Sequence, residues 1–130
     1  MRYIFDTTAY SDLLRGDVAI AGLVQTADEI YVPQVVIAEL RIGFKLGSRQ
    51  LENERLLARF LATSKVRILL PDNATTDYFV DLAVYARQKG VQLSVHDLWI
   101  AALAWQHKIM LVSHDNDFKH LAHPDIKLWQ

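Results

Sequence analysis

Short apolar runs alternate with stretches of helical period along the chain. The runs at 2–5, 30–32, 66–70 and 109–112 have the length of buried strands, and 126–128 is a candidate fifth strand. Between these runs, apolar residues recur every three or four positions, as on one face of a helix. This alternation predicts βα units, a central, mostly parallel sheet of four to five strands, and helices on both faces. The expected fold is therefore a three-layer α/β/α fold.

The helical stretches also carry start and stop signals. Asp72 after Pro71 is typical of a helix start, and Gly47 and Gly90 are typical of helix ends. No repeat or linker interrupts the pattern, so we expect residues 1–130 to form a single domain. The apolar stripes are Val36, Leu40 and Phe44; Leu56, Leu57, Phe60 and Leu61; and Tyr78, Phe79, Leu82, Ala83 and Ala86.

The composition narrows the class of protein. With 130 residues, 52% hydrophobic and 22% charged, the chain has the make-up of an ordinary globular domain. It contains no cysteine, which excludes disulfides and thiolate metal sites and suits a reducing compartment. No stretch reaches the ~18 apolar residues of a membrane span, and the first residues lack the apolar core of a signal peptide. We therefore expect a cytoplasmic protein without a membrane partner.

Charge is distributed unevenly. The net charge of −1 argues against a generally basic nucleic-acid binder. From Arg41 to Arg67, however, seven basic residues stand against only two acidic ones. A solvated helical face is the common explanation of such a segment. The alternative is that Arg41, Lys45 and Arg49 contact the phosphates of a polyanion.

Four acidic residues stand out by their positions. Asp6 and Asp115 follow apolar strands, and parallel strands place such residues at the same edge of the sheet, where α/β proteins bind ligands. Glu39 and Asp97 lie in apolar surroundings. Each has a simpler structural role as an alternative. Asp6 could cap a helix, Asp115 could form a turn, Asp97 could complete a capping box with Ser94, and Glu39 could reach solvent.

A set of four acids, taken together, predicts a cation site. Carboxylates at close quarters repel one another and are costly to bury unless a positive charge lies between them. Oxygen ligands without cysteine favour a hard cation, Mg²⁺ or Mn²⁺. Such ions polarise phosphoryl oxygens and activate water for phosphodiester hydrolysis. A polyanionic substrate would also explain the basic segment.

Four segments of this sequence resemble the PIN-domain ribonucleases, most closely the VapC-type toxins of toxin–antitoxin systems. They are "YIFDTTAYSDLL", "VVIAELRIGFKLG", "SVHDLWIAALAWQHKIMLVSHDNDF" and "LAHPDIKLW". The resemblance covers nearly the whole chain, with the motifs in the order and spacing of the family. It implies a Mg²⁺- or Mn²⁺-dependent endoribonuclease that hydrolyses RNA with a metal-activated water and acts as the toxin of a type II pair. It also implies frequent homodimers and a small cognate antitoxin protein.

The resemblance assigns roles by position. Asp6, Glu39, Asp97 and Asp115 match the catalytic acidic quartet, and Asp117 matches a more variable fifth acid; the metal ligands implied are Asp6, Asp97, Asp115 and Asp117. Ser113 matches a small hydroxyl position that precedes the last acids. Thr8 and His96 stand where many members have asparagine, so the groups that support the metal ligands differ here. The alternative function is a catalytically silent PIN module that binds RNA or a partner protein.

The remaining candidates carry weaker signals. His114, His120 and His123 have no strong zinc-ligand spacing and are interpreted as surface or core-edge residues. Trp99 and Trp105 flank an apolar helix and are interpreted as core or dimer surface. The apolar stretch "LWIAALAW" and the stripe of Val36, Leu40 and Phe44 predict an exposed apolar groove for an antitoxin.

Overall fold

Four parallel strands form the central sheet of the computed structural model, which describes residues 1–130. The strands are β1 (Arg2–Phe5), β2 (Glu29–Pro33), β3 (Val66–Leu69) and β4 (Met110–Val112), in the spatial order β3-β2-β1-β4. The helices are α1 (Thr7–Leu14), α2 (Val18–Thr26), α3 (Gln34–Leu46), α4 (Gln50–Leu61), α5 (Asn73–Lys89), α6 (Val95–His107) and α7 (Asn116–Leu121). The predicted α/β/α fold is confirmed.

The register places β1 at the centre of the sheet. Ile4 pairs with Tyr31 of β2 on one side and with Leu111 of β4 on the other. The candidate fifth strand at 126–128 is only an isolated parallel bridge between Leu128 and Leu111. Leu111 is the strand residue that bonds this segment. Its N–H donates to the Lys127 carbonyl and its carbonyl accepts the Trp129 N–H, at 2.8 Å each.

The core contains the side chains that the apolar pattern selected. Val36, Leu40 and Phe44 are buried, as are Ile100 to Ala104 on α6. The prediction that these residues form an exposed groove is therefore wrong. The physical reason is that α6 packs against both α5 and α3, so its apolar side chains are used within the fold.

The predicted helix limits are confirmed at three positions. Asp72 caps α5 in a complete capping box with Thr75. Gly90 ends the same helix in the left-handed conformation, with φ of +76°, which glycine adopts without strain. Gly47 follows α3. None of the helices, of which α5 is the longest with 17 residues, is long and apolar enough to cross a bilayer.

Three helices begin where strands end, which brings several helix N-termini to one edge of the sheet. Asp6 alone separates β1 from α1, and α3 follows β2 directly. A loop of three residues, 113–115, joins β4 to α7. Because β1 and β4 are parallel neighbours, Asp6 and this loop lie beside each other.

Candidate active site

Asp6 is the acid of the site that is almost completely buried, with 2% of its surface exposed. It is the N-cap of α1, and its Oδ1 accepts hydrogen bonds from Ala9 N at 2.9 Å and Thr8 Oγ1 at 2.7 Å. Its Oδ2 accepts a hydrogen bond from Ser113 Oγ. The capping role and the site role thus coexist in one carboxylate, because its two oxygens face different partners.

Thr8 and Ser113 connect Asp6 to the loop that carries the next acids. Ser113 Oγ accepts the Asp115 backbone N–H at 2.9 Å, and Thr8 Oγ1 accepts the His114 backbone N–H at 3.1 Å. Each hydroxyl donates to Asp6 and accepts from the loop. The predicted supporting positions Thr8 and Ser113 therefore fix the loop relative to the buried carboxylate.

Burial raises the pKa of Asp6 above its ordinary value. The hydrogen bonds from Ser113, Thr8 and Ala9 oppose this rise, and the nearby Asp115 carboxylate adds to it. Burial, more than the neighbouring negative charge, therefore disfavours the ionised form of Asp6.

Glu39 reaches the site from the middle of α3 and contacts two other helices. Its Oε1 accepts a hydrogen bond from Thr7 Oγ1 at 3.1 Å, and its Oε2 lies 3.2 Å from His96 Nδ1. The side chain is 31% exposed, so Glu39 reaches partly into solvent despite its apolar neighbours. Thr7, on the first turn of α1, is a contact that the sequence analysis missed, since nothing in the sequence distinguishes it from Thr8.

Asp97, Asp115 and Asp117 converge at the edge of the sheet. One carboxylate oxygen from each lies within 4.8 Å of the others. Asp115 caps α7 by accepting the Asp117 N–H at 2.9 Å. Asp97 lies in the first turn of α6, where its N–H donates to Ser94 Oγ at 3.1 Å. Ser94 is a cap as predicted, but the return bond of a capping box is not formed.

The raised pKa of Asp97 shows that the four predicted acids lie near one another. Burial and, after it, the Asp115 carboxylate raise the pKa of Asp97 to about 6, and Asp6 and Glu39 contribute less. The Ser94 side chain acts in the opposite direction. Each of the other three quartet members is therefore close enough to disfavour the charged form of Asp97.

The residues present fit a divalent cation. Asp6, Asp97, Asp115 and Asp117 take part in none of the ion pairs of the chain. The converging donors are carboxylate oxygens, which hard cations such as Mg²⁺ and Mn²⁺ prefer. Asp6 is near this group but is not part of it, and both of its oxygens accept hydrogen bonds from donors of the chain.

His114 and Asp12 form a pair at the rim of the acidic site that the sequence did not predict. His114 Nδ1 lies 2.6 Å from Asp12 Oδ2, and Arg15 donates to Asp12 Oδ1 at 2.8 Å. His114 was singled out beside the acids and is exposed, as predicted. Asp12 carried no signal, because 102 residues separate it from its partner.

The basic segment is partly neutralised. Arg41 forms an ion pair with Glu54, with Nε 2.9 Å from Oε1. Lys65 donates to the carbonyl of Val24 at 2.9 Å, and Arg67 lies 3.7 Å from Glu29. The remaining basic residues of the segment, Lys45, Arg49, Arg55 and Arg59, are exposed. Three of them, Arg49, Arg55 and Arg59, line an open groove along α4.

The other aromatic and histidine candidates are part of the packing. Trp105 packs edge-on against Tyr78 with ring centres 4.9 Å apart, and Trp99 packs against Phe79 at 4.3 Å. His123 lies against Trp105 at 4.5 Å. His123 is therefore a partly buried residue at the edge of the core, whereas His120 on α7 is exposed.

Known proteins resemble this chain in sequence and in fold. Ribonuclease VapC5 of Mycobacterium tuberculosis is 26% identical to this chain over 94 residues, which cover 72% of this chain and 70% of that protein. Toxin FitB of Neisseria gonorrhoeae is 28% identical over 92 residues, covering 68% and 66%. In the crystal structure of VapBC2 from Rickettsia felis bound to a DNA fragment from their promoter, one chain superposes with a TM-score of 0.85. That match has 25% identity and covers 100% of both chains.

The family assignment follows from a match over most of the chain rather than from any single relative. The PIN-domain family model matches residues 3–124, which include all seven helices and all of the sheet except the first residue of β1. The chain belongs to the PIN-domain family.

Proposed function

We propose that this chain is a Mg²⁺- or Mn²⁺-dependent endoribonuclease and the toxin component of a type II toxin–antitoxin pair. The observation that carries the proposal is the convergence of Asp97, Asp115 and Asp117 beside buried Asp6, with no cationic side chain to neutralise them. The names of the relatives support it, since VapC5 is a ribonuclease and FitB a toxin.

Asp97, Asp115 and Asp117 are the residues that would hold the ion, with Asp6 close by. When bound, a divalent ion supplies Lewis-acid polarisation of a phosphoryl oxygen and lowers the pKa of water. Without it, the cluster repels a phosphodiester, because the nearest charges are all negative. RNA binding at this edge of the sheet and ion binding are therefore coupled.

The remaining site residues keep this arrangement rigid. Ser113 and Thr8 hold the loop of Asp115 against Asp6, so the distance between the α1 and α7 ends is fixed by short hydrogen bonds. Thr7 and His96 contact different oxygens of Glu39 and orient it from α1 and α6. Groups of this kind typically change activity by about 10–100-fold when removed.

The basic residues supply the attraction for RNA that the acidic edge lacks. Of the three predicted RNA contacts, Lys45 and Arg49 are exposed and outside any ion pair, whereas Arg41 is paired with Glu54. We assign the main phosphate contacts to Lys45, Arg49 and the two further arginines of the α4 groove, Arg55 and Arg59. Arg41 contributes less, because binding a phosphate would cost its bond to Glu54.

The salt dependence of RNA binding tests this assignment. Replacing Arg55 and Arg59 by glutamine should weaken binding and reduce the slope of log K against log salt by about 0.7 for each phosphate that the protein no longer neutralises. Arg41→Gln is the matched control on the neighbouring helix and should leave the slope nearly unchanged. If the double variant keeps the wild-type slope, the groove does not contact RNA.

The partner proteins of the proposal are a small antitoxin and a second copy of the chain. Exposed apolar side chains are the candidates for these contacts. They are Val18, Ile42, Leu46 and Leu51 on α2 to α4; Ile68 on β3 and Leu70 just after it; and Val80, Val84 and Val95 on α5 and α6. Light scattering of the isolated chain and of the chain co-expressed with a small protein encoded beside it tests both. The proposal also places the protein in the cytoplasm.

The activity itself is tested with purified protein and total RNA. Fragments with defined ends should appear with Mg²⁺ or Mn²⁺ and disappear with chelator or in the Asp97→Asn variant. Protein that binds RNA and metal but produces no fragments would contradict the nuclease and support the silent PIN module instead.

A further inference from the structure

His114 and Asp12 form a hydrogen-bonded dyad at the rim of the acidic site. The distance of 2.6 Å between His114 Nδ1 and Asp12 Oδ2 is short for a nitrogen–oxygen bond, as expected where a carboxylate is the acceptor. The Asp12 side chain is 18% exposed and the His114 side chain 58%. The dyad thus consists of a mostly buried carboxylate that holds an imidazole out towards solvent.

The other contacts of Asp12 decide which ring nitrogen carries the hydrogen. Burial opposes ionisation of Asp12, but hydrogen bonds from His114 and Arg15 outweigh it, and the pKa of Asp12 lies below its ordinary value. An ionised carboxylate only accepts hydrogen bonds, so Nδ1 of His114 must be the donor. In the neutral ring, Nε2 then carries a lone pair and is an acceptor.

The backbone contacts of His114 hold its imidazole, and with it the acceptor Nε2, at the rim of the site. Its N–H donates to Thr8 Oγ1, which in turn donates to Asp6. Its neighbours in sequence, Ser113 and Asp115, are both part of the acidic site. The imidazole is therefore held from both sides at the rim of the site, and its free Nε2 has no partner within the chain.

We propose that Nε2 of His114 accepts a hydrogen bond from a ribose 2′-hydroxyl of the RNA strand, with Asp12 as the positioning residue. This inference rests on the proposed function, because it places a sugar–phosphate backbone at the acidic edge. Along that backbone, phosphate and ring oxygens only accept hydrogen bonds, and the 2′-hydroxyl is the donor. An acceptor held beside the site therefore selects RNA over DNA.

Binding measured with Ca²⁺ in place of Mg²⁺ or Mn²⁺ tests the proposal, because a hard cation can then neutralise the acidic edge. Each probe is checked on a gel afterwards, so that binding is separated from cleavage. The probes are a fluorescent 12-nucleotide RNA of mixed sequence and the DNA of the same sequence with uracil bases, measured by anisotropy. Wild-type protein should bind the RNA more tightly. His114→Asn keeps a nitrogen at the Nδ1 position for Asp12 but lacks Nε2. It should lose roughly three- to tenfold in RNA affinity, the size of one hydrogen bond, with DNA affinity unchanged.

The controls separate the competing explanations. His120→Asn changes an exposed histidine of α7 and should leave the RNA-to-DNA ratio as in wild type. An equal loss for RNA and DNA in His114→Asn would assign His114 to a phosphate contact and overturn the proposal. No loss for either would overturn it too, as would a wild type that does not prefer RNA.

A spectroscopic measurement tests the positioning role of Asp12. Long-range ¹H–¹⁵N correlations of the imidazole should show the Nδ1–H tautomer at His114 in wild type and a mixture of tautomers in Asp12→Ala. Asp12→Ala should also narrow the RNA-to-DNA ratio while leaving DNA affinity unchanged. A wild-type ring with the hydrogen on Nε2 would overturn the assignment, whether or not the protein cleaves RNA.

Discussion

The N-termini of α5 and α6 share a pattern of two polar residues three positions apart, but the pKa values of their aspartates shift in opposite directions. α5 begins with Asp72 and has Thr75 three residues later, and α6 begins with Ser94 and has Asp97 three residues later. The two helices pack against each other. The pKa of Asp72 is nevertheless lowered, whereas the pKa of Asp97 is raised to about 6.

The neighbours of each carboxylate explain the difference. Asp72 Oδ1 accepts hydrogen bonds from Gln106 Nε2 at 3.0 Å and Thr75 N at 3.0 Å, and these bonds favour its charged form. Burial is the largest cause of the raised pKa of Asp97, followed by the Asp115 carboxylate and, more weakly, by Asp6 and Glu39. Donors around Asp72 therefore favour its charged form, whereas burial and nearby acids disfavour the charged form of Asp97.

The largest expected difference between the two ends is in catalysis. Asp97→Asn should reduce RNA cleavage by more than about a hundredfold, since even groups that only orient a metal ligand cost about 10–100-fold. Asp72→Asn is the matched change at the other helix and should leave cleavage unchanged. Initial rates on one defined RNA check both variants. If the two variants lose activity equally, the distinction between the helix ends has no catalytic meaning.

The second difference is in the response of stability to the ion. A ligand at about 100 times its Kd stabilises the native state by ~2.7 kcal/mol, so Mg²⁺ or Mn²⁺ should raise the melting temperature of wild type. Asp72→Asn should keep this rise, and Asp97→Asn should lose most of it. Thermal melts in chelator and in millimolar ion measure the effect without any RNA. A full rise in Asp97→Asn would remove Asp97 from the ion site.

This comparison also shows how far the sequence could predict the molecule. Strand positions, the parallel sheet and the helix ends at Gly47, Asp72 and Gly90 follow from local patterns, and the structure confirms them. The acids of the site were selected from their positions after strands and in apolar surroundings. Their roles in the site stay predictions, because a capping acid and a metal-binding acid have the same local sequence.

The missed features depend on contacts between distant parts of the chain. Asp12 meets His114 across 102 positions, and Arg41 is neutralised by Glu54 on the next helix. The groove predicted from apolar stripes was wrong for a related reason. An apolar stripe predicts that a helix face is buried, but it does not show whether the rest of the chain or a partner protein buries it.

A third and smaller difference concerns pH in the absence of the ion. An acid whose pKa is raised in the folded state contributes stability at low pH that is lost as the pH rises through the folded value. For Asp97 this loss falls between the ordinary value of about 4 and about 6. Because the side chain is only half-buried, solvent screening reduces the effect to the order of 1 kcal/mol.

The matched variants isolate this contribution. In chelator, stability of Asp97→Asn should fall less between pH 4 and pH 6 than that of wild type, because its amide does not titrate. Asp72→Asn should change with pH as wild type does over this range, since the lowered pKa of Asp72 alters stability mainly below about pH 4. Denaturant titrations at several pH values measure both slopes. Identical slopes for wild type and Asp97→Asn would show that the pKa of Asp97 is not raised in the folded protein.

The smallest difference is the sign of the stability change at neutral pH in chelator. Asp97→Asn removes one of several like charges, so the melting temperature should stay constant or rise. Asp72→Asn removes a charge that Gln106 and the helix end stabilise, so the melting temperature should fall. The fall should be slight, because asparagine is as good an N-cap as aspartate and Oδ1 can still accept the Thr75 N–H. A fall for both variants would mean that Asp97, like Asp72, mainly stabilises the start of its helix, and that the ion-binding cluster has to be built without it.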